Sequence, residues 1–186
     1  LIAADLAEGD CFWGSNRARF PQRLEKGIYG VSNAMLDTPW PKVERLKQRM
    51  RAAVRDSDST DALADALFGA LADRTMMADE FLPSTGVPLD WERWLSPAFI
   101  RTPDARYGTR TSTVLITERV GRRLVTHVIE RSFSSARGPG VALLRRSTLK
   151  AWPPKGRVRP AAPAPSAQVS GRGSGATPHQ KAFAAG

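Results

Sequence analysis

The point along the chain where acidic residues stop is the feature that most constrains the fold. All 18 Asp and Glu residues lie within 1–136, whereas 137–186 contain nine of the 28 Lys and Arg residues and no acid. The same final segment contains seven prolines and seven glycines and shows no sustained hydrophobic period. A segment of this composition buries too little apolar surface to offset the entropy of ordering it. We therefore predict a folded domain over 1–136 and a disordered basic tail over 137–186.

The net charge of +10 consequently describes the tail and not the domain. Residues 1–136 hold 19 Lys and Arg against 18 Asp and Glu, so the predicted domain is nearly neutral. A folded nucleic-acid binder concentrates cations on one face, beside aromatic platforms or a reading helix. The tryptophans of the domain are instead scattered, which favours core or lid positions for Trp13, Trp40, Trp91 and Trp94. We expect no specific nucleic-acid partner.

Other bulk features narrow the class of protein. No apolar run approaches the roughly 20 residues that span a bilayer, and the opening LIAADLAEGD lacks the basic region of a signal peptide. The only cysteine, Cys11, excludes an internal disulfide and favours a reducing compartment, so we predict a cytoplasmic protein without a membrane span. Because the chain does not begin with methionine, we expect a processed form or a fragment. Its acid-free tail is either natural low-complexity sequence or the product of a frameshift in GC-rich DNA.

The domain sequence predicts strands at both of its ends. Leu1–Leu6 and Cys11–Gly14 are apolar and flank the turn-forming Glu8-Gly9-Asp10, and Gly27–Ser32 reads as a third strand. Near the other end, β-branched residues fill Thr109–Thr117, and Leu124–Phe133 returns after a turn containing Gly121. These segments predict antiparallel sheet.

Two helices are predicted between the strands. Residues 42–56 place apolar side chains at spacings of three and four, with cations on the other face that we interpret as solvated. Ser59 or Thr60 is a suitable cap for a second helix. A helical turn at Asp90–Leu95 interrupts the otherwise irregular residues 75–106. The element order predicts an α+β domain with helices packed on one face of the sheet.

Two motifs resemble a known family. Tyr29–Trp40 (YGVSNAMLDTPW) is similar to the segment of the NRDE family in which a glycine-led strand ends in Ser-Asn and leads through Thr-Pro-Trp into a helix. Tyr107–Ile116 (YGTRTSTVLI) is similar to the family's Tyr-Gly-Thr-Arg segment and following strand. The opening LIAADL and the turn at 14–17 also fit, so the resemblance runs from residue 1 to about 133. This family contains the transport-and-Golgi-organisation 2 homologues.

The resemblance implies an N-terminal-nucleophile (Ntn) hydrolase-like fold, an αββα sandwich of two antiparallel sheets between helical layers. In such hydrolases an N-terminal cysteine attacks an amide or acyl carbonyl, and its own amine, with a pKa of about 8, serves as base. Neither the initial Met-Cys pair nor the Asn-Arg-Asp-Glu motif occurs here. We therefore expect the N-terminal strands of the family domain to be missing, the chain to be inactive as a hydrolase, and its exposed sheet edges to make it poorly soluble.

The resemblance also assigns candidate site residues. Asn33 aligns with an asparagine that contacts the substrate carbonyl or the nucleophile in related hydrolases, although it could simply cap a turn. Arg110 aligns with an arginine placed near the nucleophile, although it could instead pair with an acid. Tyr107 and Thr109 are expected to shape the turn that delivers Arg110 and to contribute to substrate binding. The predicted role is a scaffold for hydrolysis of a linear amide or acyl bond.

A carrier or chaperone for haem or a lipid metabolite is the alternative, by family analogy. No Cys-x-x-Cys-His motif occurs, so any haem contact would be noncovalent, and we predict no resident cofactor. Cys11 is expected to be a small buried residue and not the nucleophile. His127 has no second histidine or cysteine at ligand spacing, so we predict no metal site. Whether the chain is an enzyme stays open at this point.

Overall fold

The protein is represented by a computed structural model that describes residues 1–5, 10–134 and 141–150. Within these ranges it contains two antiparallel three-stranded sheets and three α-helices. The predicted α+β class is therefore confirmed. The finer assignment to an Ntn-hydrolase-like αββα sandwich stays a prediction.

The first sheet lies at the N-terminal end of the chain. It comprises β1 (Ile2–Asp5), β2 (Asp10–Trp13) and β3 (Gln22–Arg23), in that order. Trp13 is 4% exposed and anchors the sheet in the interior. The predicted third strand at Gly27–Ser32 is wrong, because these residues form bends and irregular backbone, and the third strand lies at β3.

The helices follow the predicted positions. α1 spans Pro41–Asp56, α2 spans Thr60–Leu71, and α3 spans Leu89–Leu95, with a short 3₁₀ turn at Asp79–Phe81. The hydroxyl of Ser59 accepts a hydrogen bond from the Ala62 amide at 3.2 Å and caps α2, as the sequence predicted. Within the described part of the chain, no helix combines the length and apolarity that a bilayer crossing requires.

The second sheet contains the predicted hairpin. β4 (Thr111–Val120) pairs with β5 (Arg123–Phe133) through a two-residue turn. Gly121 in this turn has φ 61°, a left-handed conformation that glycine adopts without the steric cost of a side chain. Both strands are long because β-branched and apolar residues alternate along them.

A third strand of this sheet lies inside the segment that composition assigned to the tail. β6 (Val141–Lys150) runs antiparallel to β5. The prediction of disorder is wrong for these ten residues, because pairing with an open strand edge satisfies backbone groups whatever the side-chain period. The remainder of the predicted tail, 137–140 and 151–186, lies outside the described residues, so its disorder stays a prediction.

The hydrophobic core forms where α2 packs against β4 and β5. Alternate residues of β4 are buried, and Val114 and Ile116 meet Ala64 and Phe68 of the helix. The other face of the sheet is covered only in part: Thr126 on it is fully buried, whereas Leu115 is 59% exposed. One helix, α2, therefore packs on one face of the second sheet, and α1 packs on α2.

Candidate functional site

The first family motif folds into a tight loop that leads into α1. The Gly30 amide donates to Oδ1 of Asp37 at 2.7 Å, and the Asp37 amide donates to the Gly30 carbonyl at 2.8 Å. A β-carbon at residue 30 would overlap Cγ1 of Val43, so glycine is required for α1 to pack this closely. Lys47 of α1 lies 2.9 Å from Asp37. Its hydrogen bond, together with that of Gly30, lowers the pKa of the Asp37 carboxyl.

The second motif is closed by its own glycine. The backbone of Gly108 pairs with Arg101, and a β-carbon at residue 108 would lie 2.7 Å from the Ile100 carbonyl oxygen. The Thr109 hydroxyl accepts from the Ile100 amide at 3.0 Å. Thr109 therefore fixes the backbone of this loop, and its contribution to substrate binding stays a prediction.

The two motifs meet at one cavity of about 510 Å³. Asn33 of the first motif and Tyr107 of the second both line it. Cavities of a few hundred Å³ or more are the usual size of small-molecule sites. Apolar side chains form much of the remaining wall: Trp40, Met77, Phe81, Leu82, Val87, Leu95 and Ile100.

Asn33 does not cap the turn. Its side chain is exposed and faces the cavity, whereas Asp37 makes the hydrogen bonds that close the loop. α1 begins after Trp40 without a side-chain cap. Asp37 therefore has the capping role that Asn33 could have had, and the Asn33 amide is available to a ligand.

Tyr107 belongs to an aromatic group at the cavity rim. Its ring meets Trp91 edge to face at 5.9 Å, and Trp91 meets Trp94 in the same manner at 5.6 Å. Such pairs add about 0.5–1.5 kcal/mol beyond buried area and hold the rings in place. The phenol of Tyr107 is therefore presented to the cavity on a positioned ring.

Charged groups line the same cavity. Lys42 of α1 is half-buried and donates from Nζ to the Leu95 carbonyl at 2.7 Å. Burial lowers the pKa of the Lys42 ammonium, and the nearby Glu92 carboxylate opposes that effect. Glu92 itself is 6% exposed and accepts two hydrogen bonds at 2.6 Å from the amide and hydroxyl of Thr85. Glu92 thereby ties the 82–87 segment to α3.

Arg110 does not line this cavity. It is exposed, and its carbonyl accepts from the Phe133 amide at 2.8 Å. The structure brings together Asn33 and Tyr107 but not Arg110 or Thr109. The catalytic role assigned to Arg110 by resemblance stays a prediction.

The cavity wall contains no activated nucleophile among the described residues. The Ser96 hydroxyl donates to the Arg93 carbonyl at 2.7 Å and accepts from the Met77 amide at 3.0 Å, so it has a structural role. Cys11 is partly buried on β2 and does not line the cavity. Over the ranges that the structure describes, no group of three His, Cys, Asp or Glu side chains converges as a metal site. His127 instead bonds Glu118 at 2.8 Å.

A second, smaller cavity of about 320 Å³ lies between α1, α2 and the edge strand β4. Leu46, Leu67 and Val114 are among its apolar walls. Both motifs also contribute to its wall, through Tyr29–Val31 and Thr113–Leu115, but none of the candidate site residues Asn33, Tyr107, Thr109 and Arg110 lines it. Its apolar lining is that of an incompletely filled core region.

The cationic face of α1 is only partly solvated, which corrects the sequence interpretation. Arg45 bonds Asp73 at 2.9 Å, and Lys47 is 12% exposed in its pair with Asp37. Burial raises the pKa of Asp73, but hydrogen bonds from Thr75 and Arg45 outweigh it and lower the pKa to about 2. These ion pairs fix α1 against the segments that build the cavity.

The sequence analysis missed Lys42 and Glu92. Glu92 gave no signal, because a glutamate in a short amphipathic turn is usually exposed. Lys42 did give one: it stands at the start of α1, where a cation opposes the helix dipole. A cation at a helix N-terminus, where the helix dipole disfavours it, suggests that the side chain makes a contact outside its own helix.

The fold is α+β, and residues of both motifs line its larger cavity. Residues 1–135 match the family profile described as Transport and Golgi organisation 2. The chain belongs to this family, which confirms the resemblance.

Curated relatives agree. The chain is 36% identical over 134 residues to the Transport and Golgi organization protein 2 homolog of Bos taurus, covering 65% of this chain and 46% of the relative. It is 33% identical over 130 residues to the Transport and Golgi organization 2 homolog of Mus musculus, with the same two coverages of 65% and 46%. It is 34% identical over 132 residues to the homolog of Homo sapiens, again at 65% and 46%. The chain thus spans about half the length of the curated relatives it matches.

Proposed function

We propose that this chain binds a small linear amide or acyl compound in the 510 Å³ cavity, as the binding portion of an Ntn-type cysteine hydrolase scaffold. One observation carries the proposal. Asn33 and Tyr107, selected independently from two separate motifs, line the same cavity.

The chemistry of the wall fits such a ligand. The Asn33 amide can donate to a carbonyl oxygen, which is the polar group of an amide or ester. The apolar wall formed by side chains such as Phe81, Leu82 and Val87 suits an aliphatic chain. A ligand with one carbonyl and one aliphatic chain satisfies both regions.

The proposal assigns binding but no turnover to this chain. The hydroxyls of Ser96 and Thr85 are committed to structural hydrogen bonds, and Cys11 lies away from the cavity wall. Hydrolysis would require a nucleophile that is not among the described residues of this cavity. The exposed Leu115 on the second sheet supports the proposed sandwich, because a second layer would cover it.

Calorimetric titration of the full chain with octanamide tests the proposal. We expect saturable binding that weakens about tenfold in Asn33→Ala, since the ligand carbonyl loses its hydrogen-bond donor. Asn16→Ala is the matched control, because Asn16 is exposed and does not line the cavity. Absence of binding, or equal effects of the two substitutions, would overturn the proposal. Release of ammonia from octanamide by the purified chain would contradict the non-catalytic assignment.

A noncovalent carrier for haem or a lipid metabolite is the second candidate, favoured by the apolar wall of the cavity. Haem titration followed by its visible absorption distinguishes it. Binding that saturates at one equivalent and is blocked by Leu82→Trp, which fills the cavity, would favour haem. Binding of octanamide alone would favour the first proposal.

A further inference from the structure

Lys42 differs from the other half-buried cations of α1. Arg45 and Lys47 each contact a carboxylate at 2.9 Å. For Lys42, no carboxylate of any described residue lies within 4.0 Å of Nζ. Its ammonium is therefore partly withdrawn from water at the cavity wall without a salt bridge. The Trp40 ring, whose centroid lies 5.6 Å from Nζ, and the more distant Glu92 carboxylate only partly balance its charge.

The cavity has an excess of positive charge. Arg17 and Lys42 line it, and Glu92 supplies the only carboxylate among its described lining residues. The Oε1 atom of Glu92 is already engaged by two hydrogen bonds from Thr85. One monovalent anion would bring the charge of the lining to zero.

We infer that Lys42 binds the carboxylate of an amphipathic monocarboxylic acid whose aliphatic chain lies against the apolar wall of the cavity. The inference rests on the proposed function and narrows its ligand class from acyl compounds in general to anionic ones. An ammonium has three N–H donors, and the Leu95 carbonyl takes one. The remaining donors can make charge-assisted hydrogen bonds to a carboxylate, which are stronger than neutral ones.

A purely structural role for Lys42 is the competing explanation. Leu95 is the last residue of α3, and lysine side chains often bond the terminal carbonyls of helices. Loss of this contact would weaken binding of any ligand by loosening the wall. It would not change the preference between a charged and a neutral ligand of the same shape.

Octanoate and octanamide are such a pair. Calorimetric titration of the full chain at pH 7 is expected to show octanoate binding about tenfold more tightly than octanamide. Lys42→Met should abolish this ratio, whereas Lys42→Arg should retain most of it. Lys26→Met, which removes an exposed cation outside the cavity, should leave it unchanged.

The outcomes separate this inference from the proposed function. If octanamide binds but octanoate has no advantage, or if Lys42→Met preserves the ratio, the Lys42 inference is wrong and the proposed site stands. If neither compound binds the full chain, the proposed function is wrong as well. Since each ratio is measured within one variant, a modest loss of stability in Lys42→Met does not obscure the result.

Discussion

The α2–sheet core and the cavity are built in opposite ways. The core brings together Phe68, Val114 and Ile129, which lie on a helix and two strands. Inward-facing positions recur every three to four residues along a helix and every two residues along a strand. The cavity brings together Asn33, Tyr107 and other groups from loops and element ends. The core consequently depends on apolar burial, whereas the cavity depends on individual polar contacts and on the close backbone approach at Gly108. Substitutions should separate the two regions, because core changes alter stability and cavity changes alter binding.

The largest effect is expected for Phe68→Ala in the core. Phe68 is 3% exposed and contacts Arg131 at 4.0 Å from its ring centroid. Its truncation should lower the free energy of unfolding by about 3 kcal/mol or more, measured by urea denaturation. Phe81→Ala is the matched cavity variant, since Phe81 is 57% exposed. A comparable loss of stability in both would contradict the distinction between the regions.

The next effect concerns the close approach at Gly30. Gly30→Ala should destabilise by about 2 kcal/mol, because the new methyl overlaps Cγ1 of Val43 and the backbone or the Val43 side chain must shift. Thermal denaturation of the double variant Gly30→Ala/Val43→Ala checks the cause. Additive losses in the double variant would show that contact with Val43 is not responsible.

Asp73→Asn should have a smaller effect that depends on pH. The pKa of Asp73 is lowered from 3.8 to about 2 in the folded protein, so its ionised form stabilises the fold above pH 3.8. The variant should be about 2 kcal/mol less stable at pH 7, with the deficit shrinking as pH falls through this window. Asp58→Asn, at an exposed position, serves as the control. A deficit that stays constant from pH 7 to pH 3 would exclude ionisation of Asp73 as its source.

The smallest effect is expected for Arg110→Ala. Because Arg110 lies outside the cavity wall, its removal should change octanamide affinity less than about twofold. Calorimetry on this variant beside Asn33→Ala measures the difference directly. A larger loss for Arg110→Ala would place the ligand elsewhere.

Sequence reasoning succeeded where one local pattern determines the element. The period of α1, the Ser59 cap and the β4–β5 hairpin are such cases. It failed at Gly27–Ser32 and at β6, where contacts with distant segments decide whether a chain bends or pairs.

The candidate site, like the fold, was predicted only in part. Asn33 and Tyr107 came from motifs, but their meeting at one cavity was not readable from either motif alone. Lys42 and Glu92 were missed because burial of a charged residue depends on which loop folds over it. Contacts between segments that are distant in sequence therefore determine which strands form and which charged residues reach the cavity.

Photolabelling most directly tests the claim that the ligand binds in the cavity lined by Asn33 and Tyr107. The full chain would be irradiated with an octanamide that carries a diazirine at its chain end, and the labelled residues would be mapped by mass spectrometry. We predict labels on the wall of the larger cavity, at Trp40, Phe81, Leu82 or Leu95, that are suppressed by excess octanamide. Suppressible labels confined to Leu46, Met50 or Leu67 would place the ligand in the smaller cavity and contradict the account.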